Sequence, residues 1–184
     1  MNETAPRRVN VELKARCPDL GRATAACGRI GARFVSTETQ TDTYFATGSH
    51  RMKVRESSLG RHYVVWYSRP DRPDARKSDY RLLPIPDPAE KVRIFSSTMS
   101  VKVVVRKERT LHLLGPVRIH LDRVEGLGDF LEFEAVLAPD FAEEAGRAAV
   151  AGLRERFGIA EEDLISGSYS DLVLARISHR IARS

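Results

Sequence analysis

The sequence predicts an α+β fold: an antiparallel sheet or barrel of about eight strands, with helices between some of them. Three observations carry this. Strictly alternating stretches of strand length recur from residue 8 to residue 137, and a few segments with helical entry and exit signals interrupt them. The chain has 184 residues, 42% of them hydrophobic and 30% charged, the composition of an ordinary globular domain with a sizeable core. No internal repeat, low-complexity run or long linker divides it, so residues 1–184 are read as a single domain.

Residues 8–16 (RVNVELKAR) set Val9, Val11, Leu13 and Ala15 on one face and Asn10, Glu12, Lys14 and Arg16 on the other, which defines a strand. A helix follows from Pro18, taken as a first-turn position, to Gly31 at its exit. Strands are expected at 40–46, 51–56, 62–69 and 77–85. The stretch 69–78 (RPDRPDARKS), rich in proline and basic residues, reads as a mobile loop between two of them. A helix is expected over 87–99, entered from Asp87 with Pro88 at its first position. Strands resume at 101–109, 116–124 and 129–137. Helices close the chain at 139–157, with Asp140 as cap, and at 168–182.

Composition excludes several classes. Disorder, collagen-like repeats and a disulfide scaffold do not fit, and no apolar run approaches the roughly 18 residues of a membrane span. The first eight residues contain no apolar core of a secretion signal, and two cysteines, Cys17 and Cys27, suit a reducing, cytoplasmic setting. Neither has metal-ligand spacing, so both read as inert buried thiols. The net charge of +5 and pI near 9.5 favour anionic partners. Of the 30 basic residues 24 are arginine, the better fork for phosphate oxygens. They are spread along the chain, and aromatic interleaving on an exposed sheet is missing, which argues against nucleic acid.

The polar faces of the strands are informative. Asn10, Glu12 and Lys14 align on the first strand, and Arg51, Lys53 and Arg55 on the third. Arg118, His120 and Asp122 align on the seventh, with Glu132 and Glu134 on the eighth. A solvated face would mix charges in no special order, whereas the third row is basic throughout and the eighth acidic throughout. A barrel with a polar interior would bring them together, carboxylates for divalent cations and basic rows for phosphate oxygens.

At these residues the sequence resembles the CYTH family: class IV adenylyl cyclases, thiamine triphosphatases and related enzymes. NVELKAR (10–16) is similar to the family's E-x-E-x-K strand, and QTDTYF (40–45) and RMKVRE (51–56) to the strands after it. VRKER (105–109) resembles its K-x-R strand, LDRVEGLGDFLEFE (121–134) its acidic Gly-Leu-Gly turn, and SYSDLV (168–173) its closing helix. The resemblance implies an eight-stranded antiparallel barrel enclosing a triphosphate tunnel, with Mg²⁺ or Mn²⁺ as cofactor. It implies metal binding by Glu12, Asp122, Glu132 and Glu134, polyphosphate binding by Lys53, Arg55 and Arg118, and catalytic roles for Lys14, Lys107 and Arg109; Arg69 is a further candidate for the polyphosphate if it replaces a lysine of the family pattern. It implies a nucleoside triphosphate or another triphosphate compound as substrate. The leading expectation is conversion of ATP to cyclic AMP and pyrophosphate; the alternatives are a triphosphatase or a receptor with weakened catalysis. Homodimers are common in the family, and a membrane partner is not expected.

Two positions depart from the family pattern. Asn10 stands where the first glutamate is expected, and its amide oxygen can coordinate but brings no charge. Ser68-Arg69-Pro70 stands in place of Lys-Gly-Pro, so Ser68 takes the lysine's position. By alternation Arg69 then points to the opposite face unless a bulge shifts the register. His120 reads as a base or, more often for such a residue, a structural histidine. Tyr169 orders the tunnel mouth or caps the barrel. Of Trp66 and Tyr67 only one can face inward, where it could stack on a base, and core packing is expected of the other.

Overall fold

The computed structural model describes residues 5–48 and 50–182. Eight strands, β1 (Arg7–Arg16), β2 (Arg33–Phe45), β3 (Arg51–Ser57), β4 (His62–Ser68), β5 (Arg76–Ile85), β6 (Val101–Leu114), β7 (Val117–Val124) and β8 (Gly128–Val136), close into one barrel. Its order is β1-β5-β4-β3-β2-β6-β7-β8, every pairing is antiparallel, and β8 returns to β1. Closure leaves no sheet edge unpaired.

The period of two decides what lies inside and outside. On β1, β7 and β8 the apolar residues face outward and are covered by α1 (Leu20–Arg29) and α3 (Glu143–Phe157). Val11, Ile119, Phe133 and Ala135 are fully buried there against Cys27 and Val150. Gly146 of α3 permits the approach, since a Cβ at that position would lie 2.9 Å from the Leu137 side chain. On β3 and β4, Met52, Val54 and Val64 are covered by α2 (Pro88–Ser96) through Val92 and Phe95. A third cluster fills one end of the barrel itself: Tyr44, Val105, Val124 and Phe130 meet Ile165 and Tyr169 from the C-terminal segment, where α4 (Tyr169–Ile181) begins. The polar residues of the same strands are left to line the interior. In the β7–β8 turn, Gly126 and Gly128 take φ of 73° and 98°, a conformation that side chains disfavour and that the Gly-Leu-Gly run supplies.

Several boundaries differ from expectation. β2 starts at Arg33 rather than residue 40, and β6 runs on to Leu114, because the two strands pair along nearly their whole length. The cap of α1 is Asp19, whose side chain accepts from the Arg22 N–H, so Pro18 lies outside the helix. Asp140 does not cap α3. Residues 138 and 141 pair in a tight turn, and the helix starts after Ala142 without a side-chain cap. The 69–78 stretch is not a free loop: β5 starts at Arg76, which is 1% exposed, and Arg69 also reaches inward. Cys17 and Cys27 are buried free thiols, and burial raises the pKa of both. Among the described residues no helix is long and apolar enough to cross a membrane.

Candidate functional site: a charged tunnel with a carboxylate cluster

The barrel encloses a cavity of about 340 Å³. Alternation on β1 brings Asn10, Glu12 and Lys14 into it, and β8 answers with Glu134 opposite Glu12 and Glu132 opposite Lys14. Carboxylate oxygens of Glu12, Glu132 and Glu134 lie within 4.8 Å of one another. Three like charges in a buried site are unstable unless cations face them. Glu12 shows the conflict: burial and the neighbouring Glu132 raise its pKa, while Arg69 and Arg76 oppose the rise.

Each carboxylate is met by the tunnel's own cations. Lys14 Nζ donates to Glu132 at 2.6 Å and Arg109 to its other oxygen at 2.8 Å. Against burial, these two cations hold the Glu132 pKa well below the carboxylate range. Arg76 and Arg69 approach Glu12 at 3.1 and 3.2 Å. Arg118 lies 3.5 Å from Glu134 and His120 Nε2 lies 3.3 Å from it. His120 is buried and its pKa is lowered by burial and by Arg109.

The opposite wall is a ladder of cations around a buried acid. Asp42 is 0% exposed and takes two hydrogen bonds from Arg55, both at 2.7 Å, and one from Lys53 at 2.7 Å. Lys107 stands 3.7 Å from both Asp42 and Asp122. Burial and the neighbouring Arg55 lower Lys53 to about 8, against the pull of Asp42. Lys107 falls well below its ordinary value for the same reason, with Arg109 as its cationic neighbour.

All seven basic residues expected to bind phosphate or act in catalysis, namely Lys14, Lys53, Arg55, Arg69, Lys107, Arg109 and Arg118, line this cavity. Glu12, Glu132 and Glu134 do so as well. Asp122, expected beside them as a metal ligand, stands outside their group. It accepts from Arg109 at 2.6 and 2.5 Å and from the Tyr169 hydroxyl at 2.7 Å, which spends its lone pairs on anchoring the floor. Tyr169 caps that end of the cavity, with Lys14 Nζ 3.8 Å above its ring. Tyr67 faces inward, but Trp66 is 40% exposed beside His50 and does not pack in the core.

The Ser68 expectation is also corrected. Tyr63, Val65 and Tyr67 face the cavity, and the same parity continues to Arg69, so Ser68 points outward and is exposed. No bulge is required, because β4 stays in continuous register with both neighbours. Sequence reasoning missed Asp42, Gln40 and Arg76. The first two had a signal in the alternation of QTDTYF; Arg76, within a Pro-Asp stretch, had none.

The donor set fits a hard divalent cation. Three oxygen donors converge, and the amide oxygen of Asn10, 2% exposed, has no hydrogen-bond partner among the described residues. Basic side chains outnumber carboxylates around the cavity, so the interior as a whole suits a polyanion.

A closed antiparallel barrel whose interior opposes cation rows to a carboxylate cluster defines the triphosphate-tunnel class of protein. The CYTH domain profile matches residues 8–169, and the chain belongs to that family. Adenylate cyclase CyaB of Aeromonas hydrophila is 26% identical over 181 residues, covering 90% of this chain and 88% of its own. The PH1012 protein of Pyrococcus horikoshii OT3 superimposes with a TM-score of 0.77 at 26% identity, covering 89% of this chain and 98% of that one. A Hippeastrum protein, whose structure was described with a dominant triphosphatase activity, shares the fold with a TM-score of 0.61 at 15% identity over 92% of this chain and 96% of its own.

Proposed function

We propose that the tunnel binds a nucleoside triphosphate together with Mg²⁺ or Mn²⁺ and cyclises it, releasing pyrophosphate. The observation that carries this reading is the facing of Glu12, Glu132 and Glu134 by basic rows on the surrounding strands in one cavity. Lys53, Arg55, Lys107 and Arg109 would take the phosphate oxygens, neutralising charge that otherwise repels an incoming nucleophile. Glu12, Glu132 and Glu134, with the Asn10 amide, would hold the metal, which supplies Lewis-acid polarisation of the phosphate when bound.

The apolar cluster behind Tyr169 fills one end of the barrel, so the chain of phosphates would run toward it and the organic group would stay near the opposite mouth. In that pose the α-phosphorus lies nearest the ribose. Attack by the 3′-hydroxyl forms the new P–O bond as the bond to pyrophosphate breaks, and the hydroxyl's proton passes to solvent water. Lys14 and Arg109, released from Glu132, would stabilise the departing charge.

Similarity to CyaB of Aeromonas hydrophila supports the cyclase reading. The Hippeastrum protein supports a second: the same ladder presenting the terminal phosphorus to water, giving ADP and phosphate. Purified protein incubated with ATP and Mn²⁺, with products resolved by chromatography, decides between them. Cyclic AMP and pyrophosphate, both lost in Glu132→Ala, are expected. ADP and phosphate would replace the cyclase reading with the hydrolase, and tripolyphosphate failing to bind would remove both.

A further inference from the structure

The mouth of the tunnel carries groups that a phosphate chain does not need. Gln40 is 5% exposed, and its amide nitrogen donates to Glu38 Oε1 at 2.9 Å. The other Glu38 oxygen takes the Ser57 hydroxyl. A carboxylate only accepts, so this pairing fixes which way the amide faces. Its oxygen is left buried and without a partner among the described residues. Gln40 lines the cavity, and a buried acceptor left orphaned is costly unless something donates to it.

The same mouth carries apolar groups beside Arg61 and Arg118. Tyr63, Leu82 and Leu111 turn into a cavity whose remaining lining is largely charged. Register places Leu82 on β5 opposite Val65, two residues along β4 from Tyr63. Ser57 lies opposite Gln40, and Tyr63 lies opposite Arg55, two residues before Ser57. Apolar surface facing a polyphosphate gains nothing, whereas a flat ring buries it.

We infer that this mouth is a specificity subsite for a heteroaromatic ring bearing an exocyclic amino group, packed against Tyr63, Leu82 and Leu111 and donating to the Gln40 amide oxygen. The inference rests on the proposed binding of a triphosphate deeper in the tunnel. Because that oxygen can only accept, a ring with a carbonyl in place of the amine is repelled rather than merely unrewarded. Glu38 is the positioning residue that keeps the amide from turning over.

The test is calorimetric binding to the wild-type protein in EDTA, so that no turnover occurs, with ATP, ITP and tripolyphosphate. ATP and ITP share ribose and phosphates and differ at the amino group. ATP is expected to bind about tenfold tighter than ITP, the size of one lost buried hydrogen bond plus an uncompensated acceptor. In Gln40→Met the ratio should fall to near one, with tripolyphosphate binding reporting that the tunnel is still formed. Equal binding of ATP and ITP by the wild type, or a ratio that survives in Gln40→Met, overturns the subsite. So does tripolyphosphate binding as tightly as ATP, which leaves the phosphate reading intact. Failure of all three ligands to bind, in EDTA and again with Mn²⁺ present, would instead remove the triphosphate reading on which the subsite depends.

Discussion

Lys14 and Glu132 form a buried ion pair 2.6 Å long, and each would have to release the other for the tunnel to do its proposed work. The relation is general here. Glu132 is also held by Arg109, and Glu12 by Arg69 and Arg76. A triphosphate arriving alone draws the cations away and strands buried carboxylates. A metal ion arriving alone draws the carboxylates away and strands cations. Only the two together exchange every pair for another, so their binding should be coupled by about 1–3 kcal/mol. Thermal melts with Mn²⁺, with tripolyphosphate and with both should show a shift for the pair larger than the two separate shifts combined. Lys14→Met should bind Mn²⁺ alone more tightly than the wild type. Additive shifts and an unchanged Mn²⁺ affinity would show that the pairs do not gate binding.

How far this site was legible depends on the period of two. Alternation in RVNVELKAR and DFLEFEAVL placed Glu12, Lys14, Glu132 and Glu134 on inward faces, and closure of the barrel brought them together. What alternation cannot show is who pairs with whom across strands distant in sequence. Asp122 sits in a row with Arg118 and His120, yet one more step down β7 puts it against Arg109 and Tyr169 rather than among the other acids. Arg76 follows two prolines and reads as loop, although its side chain is the largest that is fully buried. Its burial is fixed by Glu12 and by the carbonyl of Ile165, 89 residues further along the chain.

Asp42 should be a keystone of stability. With 0% exposure it is the shared counter-ion of Lys53 and Arg55, and Lys107 stands 3.7 Å away. Asp42→Asn keeps the shape and leaves buried cations uncompensated, at a cost of about 3–5 kcal/mol. Urea unfolding should register that loss in the midpoint. Tripolyphosphate should recover more stability in the variant than in the wild type, since it supplies the missing negative charge. A midpoint within error of the wild type would mean that solvent already neutralises these cations.

Lys53 gives the site a pH signature. Its pKa is depressed to about 8, first by burial and then by Arg55, and a bound phosphate would raise it again. Below that value the lysine is already charged and binding costs no proton. Above it the empty tunnel holds a neutral amine, so binding must take up a proton and affinity falls as pH rises. Calorimetry of tripolyphosphate binding at pH near 9, in two buffers of different ionisation enthalpy, should reveal proton uptake. Lys53→Met should bind more weakly and take up fewer protons. Identical uptake in wild type and variant would assign the titration to another group.

Ser68 and Arg69 offer a test of orientation. Residues 63, 65, 67 and 69 share the inward parity, and Arg69 has 4% of its side chain exposed, 3.2 Å from Glu12 and hydrogen-bonded to the carbonyl of Ser166 at 3.3 Å. Ser68 looks away from the cavity into solvent. Restoring a lysine by Ser68→Lys therefore places a charge outside the barrel, and stability should change by no more than about 0.5 kcal/mol with tripolyphosphate affinity unaltered. Arg69→Met removes an inward cation and leaves Glu12 with Arg76 alone. It should weaken tripolyphosphate binding roughly fivefold to tenfold, the range for one charge-assisted contact, while Mn²⁺ binding without phosphate tightens. If Ser68→Lys strengthened triphosphate binding instead, its side chain would have to enter the tunnel, and the strand parity described for β4 would be wrong.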